Sequence, residues 1–140
     1  MNIQAVRKLL PVVLAVGAVS TLVAAQPAST PRAVKHLDLG NKDNRQSFTV
    51  HKSEEIDVHL SGEQNESSTW AWSAPTAADD KLLHRDAART LPNGDAKAVF
   101  HARADGTTTL DSRFRCRSSN SGEICSRAVV QWQVTVKVRK

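Results

Sequence analysis

An all-β sandwich is the fold class this sequence predicts, and three observations predict it. Short runs alternating apolar and polar residues recur about seven times, with turn signals between them. The clearest run, 130–138, puts Val130, Trp132, Val134, Val136 and Val138 on one face with polar residues between them, the period of two of a half-buried strand. No segment carries a firm apolar stripe at helical spacing. The nearest candidate, 77–88, reads as a loop with at most one turn of helix.

The other elements follow in chain order. Residues 47–51 alternate, with Phe48 and Val50 on one face. Ile56, Val58 and Leu60 mark a second strand, and Trp70 and Trp72 share one face of a third. Residues 81–85 are a weaker fourth candidate. Residues 96–102 and 107–113 form the fifth and sixth, the latter continuing towards Phe114, and 130–138 is the seventh. Turn signals stand at Ser61-Gly62, Ala74-Pro75, Pro92-Asn93-Gly94-Asp95 and Asp105-Gly106. About seven short strands at this spacing predict an immunoglobulin-like sandwich or a partly open barrel over 46–140. Aromatic side chains are few, three Trp and three Phe without Tyr, so each fills much of a small core. Trp72, Phe100 and Trp132 are the expected core aromatics. Trp70 fits either the core or a rim that touches a partner.

Two segments precede the domain. Residues 1–25 read as a secretory signal peptide. Arg7 and Lys8 come first, then an apolar run over 9–23, then Val23-Ala24-Ala25 as a small-residue cleavage site. The rival reading is an uncleaved anchor, but the run is shorter than the about 20 apolar residues that span a bilayer, and it contains Pro11 and Gly17. No cysteine follows it for lipid attachment. Residues 26–45, with Pro27, Pro31 and the polar run Gly40-Asn41-Lys42-Asp43-Asn44-Arg45, read as a flexible leader with a short extended piece at 33–39. A secreted, periplasmic or cell-envelope location is expected, without stable membrane insertion after cleavage.

Loss of Arg7 and Lys8 leaves 17 basic residues against 14 acidic ones, a net +3. That mild charge, mostly spread along the chain, is not the footprint of a nucleic-acid binder. The exception is the cluster Arg113, Arg115, Arg117 and Arg127. Cys116 and Cys125 lie in one polar segment. An even pair in an exported chain predicts a disulfide. Closing so short a loop contributes on the order of 2 to 3 kcal/mol in the chain-entropy model, so its use is to shape that loop.

The chemistry of an enzyme is missing. The sequence has no Gly-rich phosphate loop, no His-Glu-x-x-His and no Gly-x-Ser-x-Gly. His36, His51, His59, His84 and His101 are scattered, with no local ligand spacing, and His51 and His101 are expected to face solvent. Asp79-Asp80 and Asp86 read either as an acidic pair or as solvated loop residues. No catalytic residue, metal or cofactor is therefore expected, and a binding module on a stapled β scaffold fits better. Its recognition surface would be loops at one end of the sandwich: 64–69, 90–96 and 114–127.

The first of these loops is the most informative part of the chain. Asn65-Glu66-Ser67-Ser68-Thr69-Trp70-Ala71-Trp72 is a polar loop leading into an aromatic strand. It resembles the Asn-Pro-Thr-Thr-Gly-(Tyr/Phe)-x-Trp loop of the chagasin-type inhibitors of papain-like cysteine proteases. Asn65 and Trp72 match outright, Ser67 and Ser68 stand where the two Thr lie, and Trp70 takes the aromatic position. Glu66 replaces Pro and Thr69 replaces Gly. Gly adopts positive φ cheaply and Thr does not, so the loop is expected to depart from the family's shape at that point. The family's second loop is Gly-rich, and Gly94 stands there beside Asn93. Its third carries Arg-Pro-Trp, where this chain has Arg113-Phe114-Arg115-Cys116. The order of strands and loops also matches over 46–140.

The resemblance implies a monomeric secreted inhibitor that occupies the cleft of a cysteine protease by loop insertion, without chemistry of its own. Asn65, Glu66, Ser67, Ser68, Thr69 and Trp70 would form the central loop, Asn93 and Gly94 the second, and Arg113 and Phe114 a side contact. The alternative is a secreted immunoglobulin-like adhesion or cell-envelope binding module, whose arginine cluster would suit an acidic polymer. Asn65-Glu66-Ser67 is also a glycosylation sequon, which matters only in a host that glycosylates exported proteins.

Overall fold

Ten strands run through the described residues: β1 His36–Leu39, β2 Ser47–His51, β3 Glu55–Leu60, β4 Glu63–Gln64, β5 Ser68–Trp72, β6 Thr76–Ala77, β7 Leu83–Thr90, β8 Ala96–Ala102, β9 Gly106–Ser118 and β10 Val129–Arg139. The computed structural model describes residues 35–119 and 124–140, together with Gly17 and Gly122. Apart from Gly17, the expected signal peptide and leader residues 26–34 lie outside the described residues. Two sheets carry the chain. One has four strands in the order β1-β3-β8-β7; the other runs β2-β10-β9-β5-β4, with β6 also on β9. The fold is all-β and immunoglobulin-like.

Every second residue of β8 shows why the layers pack. Ala96, Ala98, Phe100 and Ala102 are buried while Lys97, Val99 and His101 are not. From the other sheet Leu110, Trp132, Val134, Val136 and Val138 face them across the core. Small residues around Phe100 and larger ones around Trp132 let the two inner faces interdigitate. Phe100, Trp132 and Trp72 are all core residues, as expected. The two buried indoles keep their N–H groups satisfied: Trp132 donates to the Gly40 carbonyl at 3.0 Å and Trp72 to the Ser61 carbonyl at 2.9 Å.

The strand count exceeds the expected seven because β1, β4 and β6 are two to four residues long, too short to display a period. The segment 77–88 is not a loop with a turn of helix. Its second half is β7, an edge strand anchored by Leu83 alone and interrupted by a bulge between Arg85 and Ala87. Its start falls within the weak strand candidate 81–85, but with one apolar anchor and a break in its alternation the rest reads as a loop in sequence.

Within the expected leader, the extended piece expected at 33–39 is present as β1. β1 pairs parallel with β3, and Leu39 is buried. The polar run after it is tied down by its own hydrogen bonds. Asp43 accepts from the Gly40 N–H at 2.8 Å, Arg45 N–H donates to Gln133, and Asn44 bonds the backbone of Gln131 and Gln133. Polar residues that pair with backbone leave no hydrophobic signal. β10 differs from expectation at one position. Val130 is 49% exposed, because the long β9–β10 pair outruns the opposite sheet.

Candidate functional site

Three loops meet at one end of the sandwich, and the first is held by a single side chain. Asn65 Oδ1 accepts from the Ser67 N–H at 3.0 Å and the Ser68 N–H at 2.8 Å, and both serine hydroxyls lie within 3.3 Å of it. The Asn65 N–H donates to the Ser68 carbonyl at 3.0 Å. An asparagine that mimics a backbone turn in this way closes the β4–β5 hairpin tightly. Glu66 and Ser67 are left at the tip, both exposed.

The β7–β8 loop abuts this hairpin from one side. The Trp72 N–H donates to the Gly94 carbonyl at 2.9 Å, so the loop extends the edge of β5. Gly94 has φ of +95°, and a Cβ there would collide with the Trp70 carbonyl. A Cβ on Gly62 would likewise collide with the backbone of Gly94. Only glycine permits this approach at both positions. Asn93 accepts from the Asp95 N–H at 3.0 Å and shapes the turn.

Asp95 then links the loops electrostatically. Its Oδ1 accepts from the Gly62 N–H at 2.8 Å, and its Oδ2 lies 3.1 Å from His59 Nε2. The Gly62 N–H, followed by His59, holds the Asp95 carboxyl below the ordinary carboxylate range. A carboxyl lowered in the folded state adds stability above its unfolded pKa, and that stability disappears as pH falls through the folded value. The stability gap between the parent and Asp95→Asn should therefore be widest above about pH 4 and shrink below it. Urea denaturation at a series of pH values checks this; a gap independent of pH would refute the link.

The third loop lies on the other flank. Ser68 pairs with Ser118 and Trp70 with Cys116 across β5–β9, and the Ser119 N–H donates to the Ser67 carbonyl at 3.1 Å. Cys116 and Cys125 form the expected disulfide, with Cα atoms 5.8 Å apart. A small cleft between Ser67, Trp70, Cys125 and Ile124 marks where this loop meets the hairpin tip. Ile124 is fully exposed.

The expected site residues thus fall into two groups. Asn65, Glu66, Ser67, Asn93 and Gly94 lie in the joined loops, with Ser68 at the first position of β5. Thr69, Trp70, Arg113 and Phe114 are strand residues. Thr69 is buried on β5, with its methyl group close to Gly94, and its backbone φ is not positive. Arg113 and Phe114 are not in the third loop, because β9 continues to Ser118. They point to opposite faces. Phe114 stacks on Trp72 at 4.5 Å and tilts against Trp70 at 5.4 Å, an aromatic footing for the hairpin. Arg113 belongs with Arg115 and Arg117 on the solvent face, flanking an open groove of about 570 Å³. None of these three arginines forms an ion pair among the described residues.

The chain is similar in fold to a cysteine protease inhibitor, EhICP2 of Entamoeba histolytica. The match has a TM-score of 0.51 at 15% identity and covers 74% of this chain and 96% of that one. Weaker matches include amebosin, with a TM-score of 0.45 at 13% identity, covering 75% and 99%. Another is PbICP-C, solved in complex with falcipain-2, with a TM-score of 0.48 at 11% identity, covering 75% and 99%. No family model matches the sequence, and no curated protein matches it.

Strand pairing gathers residues that are far apart in sequence. The histidines expected to be scattered are partly gathered: His36, His84 and His101 meet on the solvent face of the four-stranded sheet. Outward parity on three separate runs was the available signal, but strand order was needed to join them.

Proposed function

We propose that this chain is a secreted inhibitor of papain-like cysteine proteases that works by inserting its joined loops into the protease cleft. The observation that carries this reading is the preorganised hairpin tip. Asn65 fixes the backbone of Ser67 and Ser68, Gly94 packs under one side, and the disulfide-closed loop braces the other. Inhibition by occupation depends on such rigidity, because a loop already in its bound shape loses little entropy on binding. Exposed Glu66 and Ser67 would lead into the cleft, with Ile124 as an apolar contact at the flank. The shared fold with a cysteine protease inhibitor supports the assignment.

The test is a titration of papain with the purified, oxidised protein. Stoichiometric loss of protease activity is the expected result. Full activity at micromolar inhibitor would reject this reading in favour of an adhesion or envelope-binding module, for which the exposed row Arg113, Arg115 and Arg117 is the natural contact surface.

A further inference from the structure

Residues from four strands converge at the end of the four-stranded sheet opposite the loops. The register sets His36 beside Glu55, Glu55 beside His101, and His101 beside His84. Asp57 follows two residues after Glu55 on the same face, and Asp86 stands at the bulge of β7. Their side chains touch in a continuous series. His36 Nδ1 lies 3.3 Å from Glu55 Oε1 and 3.4 Å from Asp57 Oδ2. The second oxygen of Glu55 lies 3.5 Å from His101 Nε2, and His101 Nδ1 bonds Asp86. His84 Nε2 is 3.7 Å from Asp86.

We propose that His36, Glu55 and Asp57 form a binding site for a borderline divalent transition-metal ion of the zinc type. Their three donor atoms all lie within 4.8 Å of one another. A tetrahedral zinc ion with bonds of about 2.0 to 2.1 Å sets its ligands about 3.3 Å apart, close to both separations from His36. One imidazole with two carboxylates is a mixed nitrogen–oxygen set, which suits zinc better than the all-oxygen preference of calcium or magnesium.

Charge points the same way. Two carboxylates placed two residues apart on one strand face repel each other. Among the described residues no Lys or Arg pairs with Glu55, Asp57 or Asp86; their ion partners are histidines, which are charged only when protonated. A divalent cation would supply the missing charge while leaving the His36 ring neutral. Glu55 is held from behind by His101, itself held by Asp86, the kind of outer support that orients metal ligands. His101 and Asp86 are positioning residues here. Three protein ligands leave a fourth position for water or for a donor from another molecule.

Calorimetric titration of the tag-free, chelator-treated full chain with zinc chloride tests the proposal. One equivalent is expected to bind at micromolar zinc and to raise the thermal midpoint. His36→Asn should weaken binding at least about tenfold, with Glu55→Gln doing the same. Because these positions are on the surface, circular dichroism should show both variants folded. His51→Asn, which removes a histidine on β2, should bind like the parent. No binding at high-micromolar zinc would overturn the site, as would a His36→Asn variant that binds like the parent, or equal loss in His51→Asn. Papain inhibition is expected to be unaffected by zinc, so failure of this site and failure of the inhibitor reading would be seen separately.

Discussion

Replacing Glu66 and Ser67 together with arginine is expected to raise the inhibition constant against papain by at least about a hundredfold, or about 2.8 kcal/mol. Both side chains stand exposed at the hairpin tip, and the turn is closed by Asn65, which the change leaves intact. Two long cations at the leading edge would have to be desolvated and housed in a cleft that accepted a carboxylate and a hydroxyl. Neither residue packs in the core, so each change should alter folding stability by no more than about 0.5 kcal/mol. Measuring inhibition and the urea midpoint on the same preparation separates the two effects. Undiminished inhibition by the folded variant would remove the hairpin tip from the contact surface. Weaker inhibition with an equally weakened fold would show the tip to be structural.

Gly94→Val should act on stability and inhibition together. A valine at φ of +95° is strained, and its Cβ would collide with the Trp70 carbonyl, a backbone atom that cannot rotate away. The loop must then leave the edge of β5 and give up the bond from Trp72 N–H to the Gly94 carbonyl. Strained backbone and a lost buried bond together are expected to cost roughly 3 kcal/mol, read from the urea midpoint. Inhibition should weaken as well, because the hairpin loses the neighbour that holds it. Gly62→Ala meets the backbone of Gly94 from the other side and serves as a second probe of the same joint. A Gly94→Val protein with the parent's midpoint would show that the loops are not rigidly joined.

Much of the fold was legible because alternation is a local property. β3 and β8 bury every second residue, and β10 does so from Trp132 onward, so a short stretch of sequence reveals both the strand and its inner face. The disulfide was legible from two cysteines in a single segment. Asn65 was legible as a turn former because its hydrogen bonds reach no further than three residues. β7 was legible only at its start, within the weak candidate 81–85, since an edge strand with one anchor and a bulge carries little pattern. Residues 40–45 were not legible as part of the sandwich, because their place rests on polar bonds to Gln131 and Gln133 far along the chain. Phe114 illustrates the limit at the site. Its identity was noted, but its stacking with Trp70 and Trp72 depends on β5 lying beside β9.

By itself the sequence determined the fold class, the core aromatics Trp72, Phe100 and Trp132, the staple and the residues of the hairpin turn. All of these follow from side-chain type and spacing within a few residues. Only the tertiary structure decided that Gly62 and Gly94 touch, that Asp95 ties one loop to the next, that Arg113 and Phe114 face opposite ways, and that His36, Glu55 and Asp57 share one small volume. Those relations are set by strand order and register, in which pairing across the sheet brings together residues that no local period connects.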